Sequence, residues 1–380
     1  MNWYLWVLLG ALALSFVVQL FYYLYYYTGI LTLKWKTQKT GGNFSSQTPG
    51  VSVIICARNE SENLRDFLSV VLAQDYPNYE VIVVNDGSTD ETETLLRALA
   101  RENPHLYHTC IPQNAQVMSP KKLALTVAIK AAKKEILLFT DADCYPVSES
   151  WIRKMIRNFT PKTDFVLGYG AYERHKGLLS HLISYDTFFI AMQYMGFSYR
   201  GCPYMAVGRN MAYRRKVFFE NRGFASILHL QSGDDDLFVN KRANKNNTRI
   251  EINAESKTIS RSNTEFKDWF IQKERHLSTA SYYRPGSKCI IGTEVGSRGI
   301  FYLSILGLIL LAPLPLLLIA LGFFILRYIT QAIVINLSAR NFNERKFYFS
   351  ILVFDIALPL ISLYTLCSNQ IRRKTKYKWK

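Results

Sequence analysis

The sequence is sparing with cysteine and never pairs it. Its six cysteines (Cys56, Cys110, Cys144, Cys202, Cys289 and Cys367) lie far apart among 380 residues, and no Cys-x-x-Cys occurs. Neither a zinc site nor a disulfide framework is suggested, which agrees with a reduced compartment. Two phosphate-binding signatures are also missing. No Gly-x-Gly-x-x-Gly follows the first apolar run, which argues against a dinucleotide enzyme, and no Gly-x-x-x-x-Gly-Lys-Ser/Thr marks a P-loop. Internal repeats, low-complexity segments and nucleic-acid recognition modules are absent too. Charge is missing from the first 27 residues, which hold no Lys, Arg, Asp or Glu. Without a positive n-region or a small-residue cleavage site, this run reads as a retained membrane anchor rather than a signal peptide.

What is present is apolar, aromatic and basic. Hydrophobic residues make up 49% and the net charge is +17. The tail holds two further apolar stretches, Ile300 to Leu326 and Phe349 to Leu366. Lys34, Lys36 and Lys39 follow the anchor, and Arg372, Arg373, Lys374, Lys376, Lys378 and Lys380 close the chain. Basic residues beside spans mark the cytoplasmic side, so the middle of the chain is expected in the cytoplasm, on a bacterial inner or plasma membrane. The basic excess then reads as membrane-surface charge, with membrane lipids as partners and no nucleic acid. The expected division is an anchor at 1–28, a linker at 29–50, a cytoplasmic domain at 51–285, a membrane region of two or three segments at 299–368 and a basic tail at 369–380. Arg340 to Lys346 and the tail are both basic, so a re-entrant or interfacial segment is expected between them.

Between 51 and about 170, apolar runs alternate with helical patterns. "VSVIIC" (51–56), "EVIVV" (80–84) and "EILLFT" (135–140) read as strands. "ESENLRDFLSVVLAQ" (60–74), "DETETLLRALARE" (90–102) and "SPKKLALTVAIKAAKK" (119–134, with Ser119 as cap and Pro120 at the first helical position) read as helices. Unbroken apolar strands alternating with helices predict an α/β domain with a buried, mostly parallel sheet. In such sheets ligands sit beyond the carboxyl ends of the strands. There the sequence places "ARNE" (57–60), "NDGSTD" (85–90) and "DADC" (141–144). This rim is acidic rather than glycine-rich, so a phosphorylated ligand would need a divalent cation between. Hard cations take oxygen ligands, and Mg²⁺ is commonly held by one or two carboxylates plus phosphate oxygens. Asp141 and Asp143 suit that role. Alternatively, they cap a helix beginning near Ser148.

The order of the clusters adds a resemblance. "VSVIICARNE", "VIVVNDGSTD", "SPKKLALTVAI", "ILLFTDADC", "AVGRNMAYRRKVF" (206–218), "SGDDDLF" (232–238) and "QKERH" (272–276) together resemble family 2 glycosyltransferases of GT-A fold, over roughly residues 50 to 280. The last motif and the flanking spans resemble the membrane-bound subgroup of cellulose, chitin and hyaluronan synthases. The resemblance implies a metal-dependent inverting enzyme, moving a sugar from a nucleotide diphosphate sugar to a lipid-linked or glycan acceptor. It implies that Ala57, Arg58 and Glu60 border the nucleoside and that Asp86 contacts the base. Asp141 and Asp143 would be the DxD pair holding Mn²⁺ or Mg²⁺, with Asp143 as the direct ligand. Lys121, Gln272 and Arg275 would reach the diphosphate. Asp234 or Asp235 would be the catalytic base; counting back from Leu237 favours Asp234. His276 stands where the subgroup carries Trp, which puts repeated addition in doubt. The competing reading is a non-catalytic membrane scaffold with a degenerate transferase fold. The aromatic stretch 183–201 is open between an acceptor-side segment and a core helix.

Overall fold

The computed structural model describes residues 2–113, 119–262 and 265–371, with side chains as far as Thr365. The basic tail from Arg372 and the side chain of Cys367 lie outside the described residues. The chain begins with α1 (Trp3–Phe21), passes through a π-helical segment (Tyr22–Tyr27) and continues as α2 (Gly29–Thr40). The expected linker at 29–50 is therefore helical over its first half. It ends at Gly41, whose left-handed φ of 75° suits a residue without Cβ.

The domain follows as β1 (Val51–Ala57), α3 (Ser61–Leu72), β2 (Tyr79–Asp86), α4 (Thr92–Glu102), β3 (Leu106–Ile111), α5 (Pro120–Ala131), β4 (Ile136–Phe139), β5 (Cys144–Pro146), α6 (Trp151–Ile156), β6 (Phe165–Leu167) and β7 (Gly170–Tyr172). Then come α7 (Leu178–Tyr199), β8 (Met211–Arg214), α8 (Arg215–Glu220), α9 (Asp236–Arg242), β9 (Thr248–Ile250), β10 (Thr258–Ser260) and α10 (Phe266–Ser278). Three long helices close the described chain: α11 (Pro285–Leu311), α12 (Leu314–Asn341) and α13 (Tyr348–Ile371).

Seven strands form one sheet in the order β3-β2-β1-β4-β8-β6-β9, and β5-β10-β7 form a second. The large sheet is parallel except for β8, which runs antiparallel to both β4 and β6. Alternation of side chains across the strands explains the unbroken apolar runs. Ile54, Cys56, Ile82, Val84, Leu137 and Phe139 enter the core beneath α5 and α7, while Val53, Ile55, Val81, Val83, Ile136 and Leu138 enter the core beneath α3 and α6. Both faces are covered, so polar strand residues are few and paired, as Ser52 is with Glu80, or lie at the carboxyl ends, as Asn85 and Asp86 do. Strand β3 was not foreseen; "LYHTCI" lies at the sheet edge, is buried only at Leu106 and Ile111, and lacks the apolar run of its neighbours.

In the membrane region the apolar stretch Ile300 to Leu326 is shared between two helices: α11 ends at Leu311 and α12 starts after Pro313. Proline lacks the N–H that a helix interior needs but is at home at a helix start. Among the described residues, four helical stretches are long and apolar enough to cross a membrane: 3–40, 285–311, 314–341 and 348–365. They do not stand apart from the domain. Tyr23, Tyr27, Ile335, Ile351 and Phe354 share one core cluster with Phe139, Phe165 and Met192. The segment 183–201 lies in α7 as far as Tyr199, and most of that helix is buried as a core helix against this junction. A Cβ on Gly196 would lie 2.4 Å from the Tyr26 carbonyl oxygen, so only glycine permits the approach.

Candidate active site

The carboxyl ends of β1, β2 and β4 form the rim of a cleft. After β1, Asn59 adopts φ 55°. Its side-chain oxygen accepts from Thr89 N (2.8 Å), and its own N–H donates to Ser88 Oγ (2.8 Å), which ties the first loop to the second. Asn59 was not among the predicted site residues, although a positive φ favours Asn over most other residues. Ala57 is buried with its methyl in the core, so a ligand could meet only its backbone. Arg58 Nη1 lies 3.5 Å from Asp86 Oδ2. Asp86 itself is buried, and that loose ion pair is what its Oδ2 has in place of a short hydrogen bond. Burial raises its carboxyl above the ordinary range, partly offset by Arg58. Glu60 accepts from Asn63 Nδ2 (2.5 Å). Burial, with Asp143, Asp141 and Asp90 nearby, pushes Glu60 up to about 7.

Asp141 and Asp143 follow β4. They do not cap α6, because β5 intervenes and α6 begins only after Ser150. One oxygen of each, together with Cys144 Sγ, all lie within 4.8 Å of one another. Lys121 Nζ donates to Asp141 Oδ1 at 3.2 Å. Burial penalises the charge on Asp141, but Lys121 outweighs it and holds the carboxyl below its usual value. Asp143 is raised, by burial and then by the charge of Asp141, although the Cys144 thiol donates to it. Two adjoining carboxylates, one of them resisting ionisation, fit a divalent cation, which removes the repulsion between them.

The acid run 234–236 reaches the same place. Lys121 Nζ is also 3.7 Å from Asp234 Oδ2, so one ammonium spans the loop after β4 and the start of α9. Burial alone would lower the pKa of Lys121; Asp141, Asp234 and Asp235 reverse this and raise it. Asp235 is the N-cap of α9. It accepts from Asp236 N (2.7 Å) and Gly208 N (2.8 Å) and is partly open to solvent. Burial and then Asp234 raise its pKa. Asp236 points the other way, accepting from Thr279 Oγ1 and from Tyr283 OH (2.8 Å). Burial and then Asp235 push it up to about 7. Lys122 is fully buried and donates to the carbonyls of Leu230 (2.6 Å) and Ser232 (2.7 Å), which holds the loop before the acids.

The opposite wall is cationic. Gln272 and Arg275 lie on α10, one helical turn apart. Gln272 Nε2 donates to Tyr172 OH (2.6 Å). Arg275 acts electrostatically on both Asp141 and Lys121. Solvent reaches His276, yet the protein around it and the neighbouring cations, Arg275 first, hold its imidazole well below the usual value and so neutral at pH 7. Arg209 and Tyr172 were missed by the sequence reading. Arg209 is buried, donates to Gly170 O (3.1 and 3.0 Å) and Tyr172 OH (2.9 Å), and stacks on the Tyr172 ring. The segment "AVGRN" carried a signal only through its Gly and Asn; nothing marked Tyr172.

Thus Asp86, Asp141 and Asp234 lie within electrostatic reach of one buried thiol, Cys56, and Glu60, Asp143, Lys121, Asp235 and Arg275 adjoin them. Ala57 alone contributes no side chain.

Residues 52–220 match the family model described as glycosyl transferase family 2. The chain carries a family 2 glycosyltransferase domain. Among curated relatives, the poly-β-1,6-N-acetyl-D-glucosamine synthase of Staphylococcus epidermidis is 34% identical over 97 residues, covering 26% of this chain and 22% of the synthase. The Staphylococcus aureus (strain COL) synthase is 34% identical over 121 residues, 31% of this chain and 28% of the synthase. The match therefore spans about a quarter of those proteins' length. Among solved structures, the mannosyltransferase PcManGT from Pyrobaculum calidifontis, in complex with GDP-Man and Mn²⁺, superposes with a TM-score of 0.61 at 18% identity. That alignment covers 98% of this chain and 99% of PcManGT. The family 2 domain has the GT-A fold, and the likeness continues through the flanking helices.

Proposed function

We propose that the chain is a membrane-embedded inverting glycosyltransferase that moves a sugar from a nucleotide diphosphate sugar to a hydroxyl of a lipid-linked or glycan acceptor. The observation that carries this is the bridging of Asp141 and Asp234 by Lys121, which makes the DxD loop and the acid run two walls of one cleft. The Oδ2 of Asp86, held only by the 3.5 Å ion pair with Arg58, suits an N–H of the donor's base. Asp143, with Asp141, would hold the divalent cation, which when bound supplies charge neutralisation at the diphosphate. Arg275 and Lys121 would meet phosphate oxygens on the remaining side.

Asp235 is the better candidate for the base than Asp234. Lys121 already neutralises Asp234, whereas Asp235 is partly open to solvent, is oriented by two backbone N–H groups and has a raised proton affinity. In the reaction the acceptor oxygen bonds to the anomeric carbon as the carbon–phosphate oxygen bond breaks. The acceptor proton passes to Asp235, and the nucleoside diphosphate leaves. A scaffold reading would tolerate loss of these carboxylates, yet each is in place. The cytoplasmic position of the domain is supported by Lys34, Lys36 and Lys39 on α2 and by Arg345 and Lys346 before α13.

The test is nucleotide release by the purified full-length protein, with a panel of nucleotide sugars and Mn²⁺ or Mg²⁺. Likeness to the two synthases puts an N-acetylglucosamine donor first on the panel. Asp143→Ala should abolish release and metal-dependent donor binding; full activity in that variant would overturn the proposal.

A further inference from the structure

A cavity of about 510 Å³ opens where α2 meets the edge of the large sheet beside β9, and none of its lining residues belongs to the carboxylate cleft. That volume lies within the range of small-ligand sites. Its wall is unbalanced in charge. Lys34, Lys36, Arg157, Lys245 and Arg249 line it, against Glu251 as the one acid among the described lining residues. Glu251 is already committed: it is buried, it accepts Arg157 Nε and Nη2, both at 2.9 Å, and it accepts Asn158 Nδ2 at 2.7 Å. Arg249 donates to the Asn43 carbonyl (2.7 Å) and shares the Phe44 ring with Arg157. Burial, and Arg157 beside it, weaken the hold of Arg249 on its proton despite Glu251. The cavity thus holds more cation than its own acid can compensate.

Its position says what could supply the missing charge. α2 continues from α1, and Asn341, also in the lining, ends α12. The cavity therefore lies at the level where two bilayer-length helices leave their apolar stretches. The surface nearby has the make-up of a headgroup layer: Lys39 lies over the exposed Trp35 (5.1 Å), and Arg200 lies over Tyr25 (4.6 Å) and Tyr199 (5.3 Å). Basic pockets among membrane helices on that side suit phospholipid headgroups.

We propose that this cavity binds the phosphate-bearing headgroup of an anionic phospholipid from the leaflet beside the domain, with Arg249 and Lys245 inside and Lys34 and Lys36 at its rim. The inference rests on the membrane placement proposed above and is independent of the transfer chemistry. The experiment compares thermal unfolding of the full-length protein in nanodiscs of phosphatidylcholine alone and of phosphatidylcholine with phosphatidylglycerol. The anionic lipid should raise the midpoint by about 3 to 6 °C. The rise should be mostly lost in Lys245→Gln/Arg249→Gln and kept in Lys39→Gln, which lies outside the cavity. Should the double variant already be unstable in phosphatidylcholine, Lys245→Gln alone, at an exposed side chain, should lose part of the rise. An equal rise in wild type and cavity variants, or no rise in wild type, overturns the proposal. So does an equal rise with soluble glycerol phosphate, which would make this a site for a free anion. Stabilisation by nucleotide sugar, measured on the same samples, should be the same in all variants, so failure here is distinguishable from failure of the transferase reading.

Discussion

Asp234 and Asp235 are neighbours in sequence with different company. Lys121 occupies one; two backbone N–H groups aim the other. Asp235→Asn should lower kcat by about 10²–10⁴ while donor binding persists, the usual worth of a general base. Asp234→Asn should instead raise the KM for donor by freeing Lys121. Equal, mild effects in nucleotide-release kinetics would remove the assignment. A base must be deprotonated to act, and the pKa of Asp235 is raised. Activity should therefore fall on acidification at a pH above the ordinary Asp range, near 3.9. Asp236 gives a separate pH effect. Its folded pKa of about 7 exceeds the unfolded value, so the folded state binds the extra proton between about pH 4 and 7 and stability declines as pH rises through that window. Asp236→Asn should flatten that decline, as read from denaturation midpoints at pH 5 and pH 8. Asp86 and the Asp141/Asp143 pair were legible in the sequence because each follows an apolar run, whereas the run Asp234–Asp236 was found only through the family resemblance. The choice between Asp234 and Asp235 was not legible, since counting back from Leu237 carries no information about where Lys121 points.

Among the elements, α10 depends on one buried ion pair. Lys273 Nζ donates to Asp186 Oδ1 on α7 at 2.5 Å, with both side chains 9% exposed. On the same helix stand Gln272 and Arg275. Lys273→Met should cost about 3–5 kcal/mol by leaving Asp186 charged and alone, and should weaken donor binding as α10 shifts. The double variant with Asp186→Asn should recover much of the stability in chemical denaturation; no recovery would show that the pair is not the anchor. Strands β1, β2 and β4 were legible because both of their faces are buried. β3 was not, because an edge strand partly wetted along its middle, with Tyr107 and Cys110 exposed, has no continuous apolar run. The break between α11 and α12 was announced by Pro313 and Pro315, but the start of α11 at Pro285 was hidden behind polar residues such as Glu294 and Arg298, which pair with each other inside the helix bundle.

For the whole molecule, the placement of α13 decides the topology. Phe347, just before it, packs on Tyr185 and Phe188 of α7, and Tyr364, near its other end, packs on Phe270 of α10. A helix of 24 residues spans about 36 Å, yet both of its ends touch the sheet domain's own helices. We propose from these contacts that α13 lies along the domain as a re-entrant or interfacial segment, the placement that basic residues on both sides of it lead one to expect. A cysteine introduced at position 371 should react with an impermeant thiol reagent only after permeabilisation, as should one at position 245; labelling of the first alone in intact cells would show that α13 crosses.

The glycine contact between Gly196 and the Tyr26 carbonyl makes the N-terminal helical stretch, through its π-helical segment, a structural organ of the catalytic half rather than a leash. Swapping it for a foreign anchor would leave the address on the envelope unchanged and spoil the letter: such a chimera would reach the membrane and still fail to fold around α7.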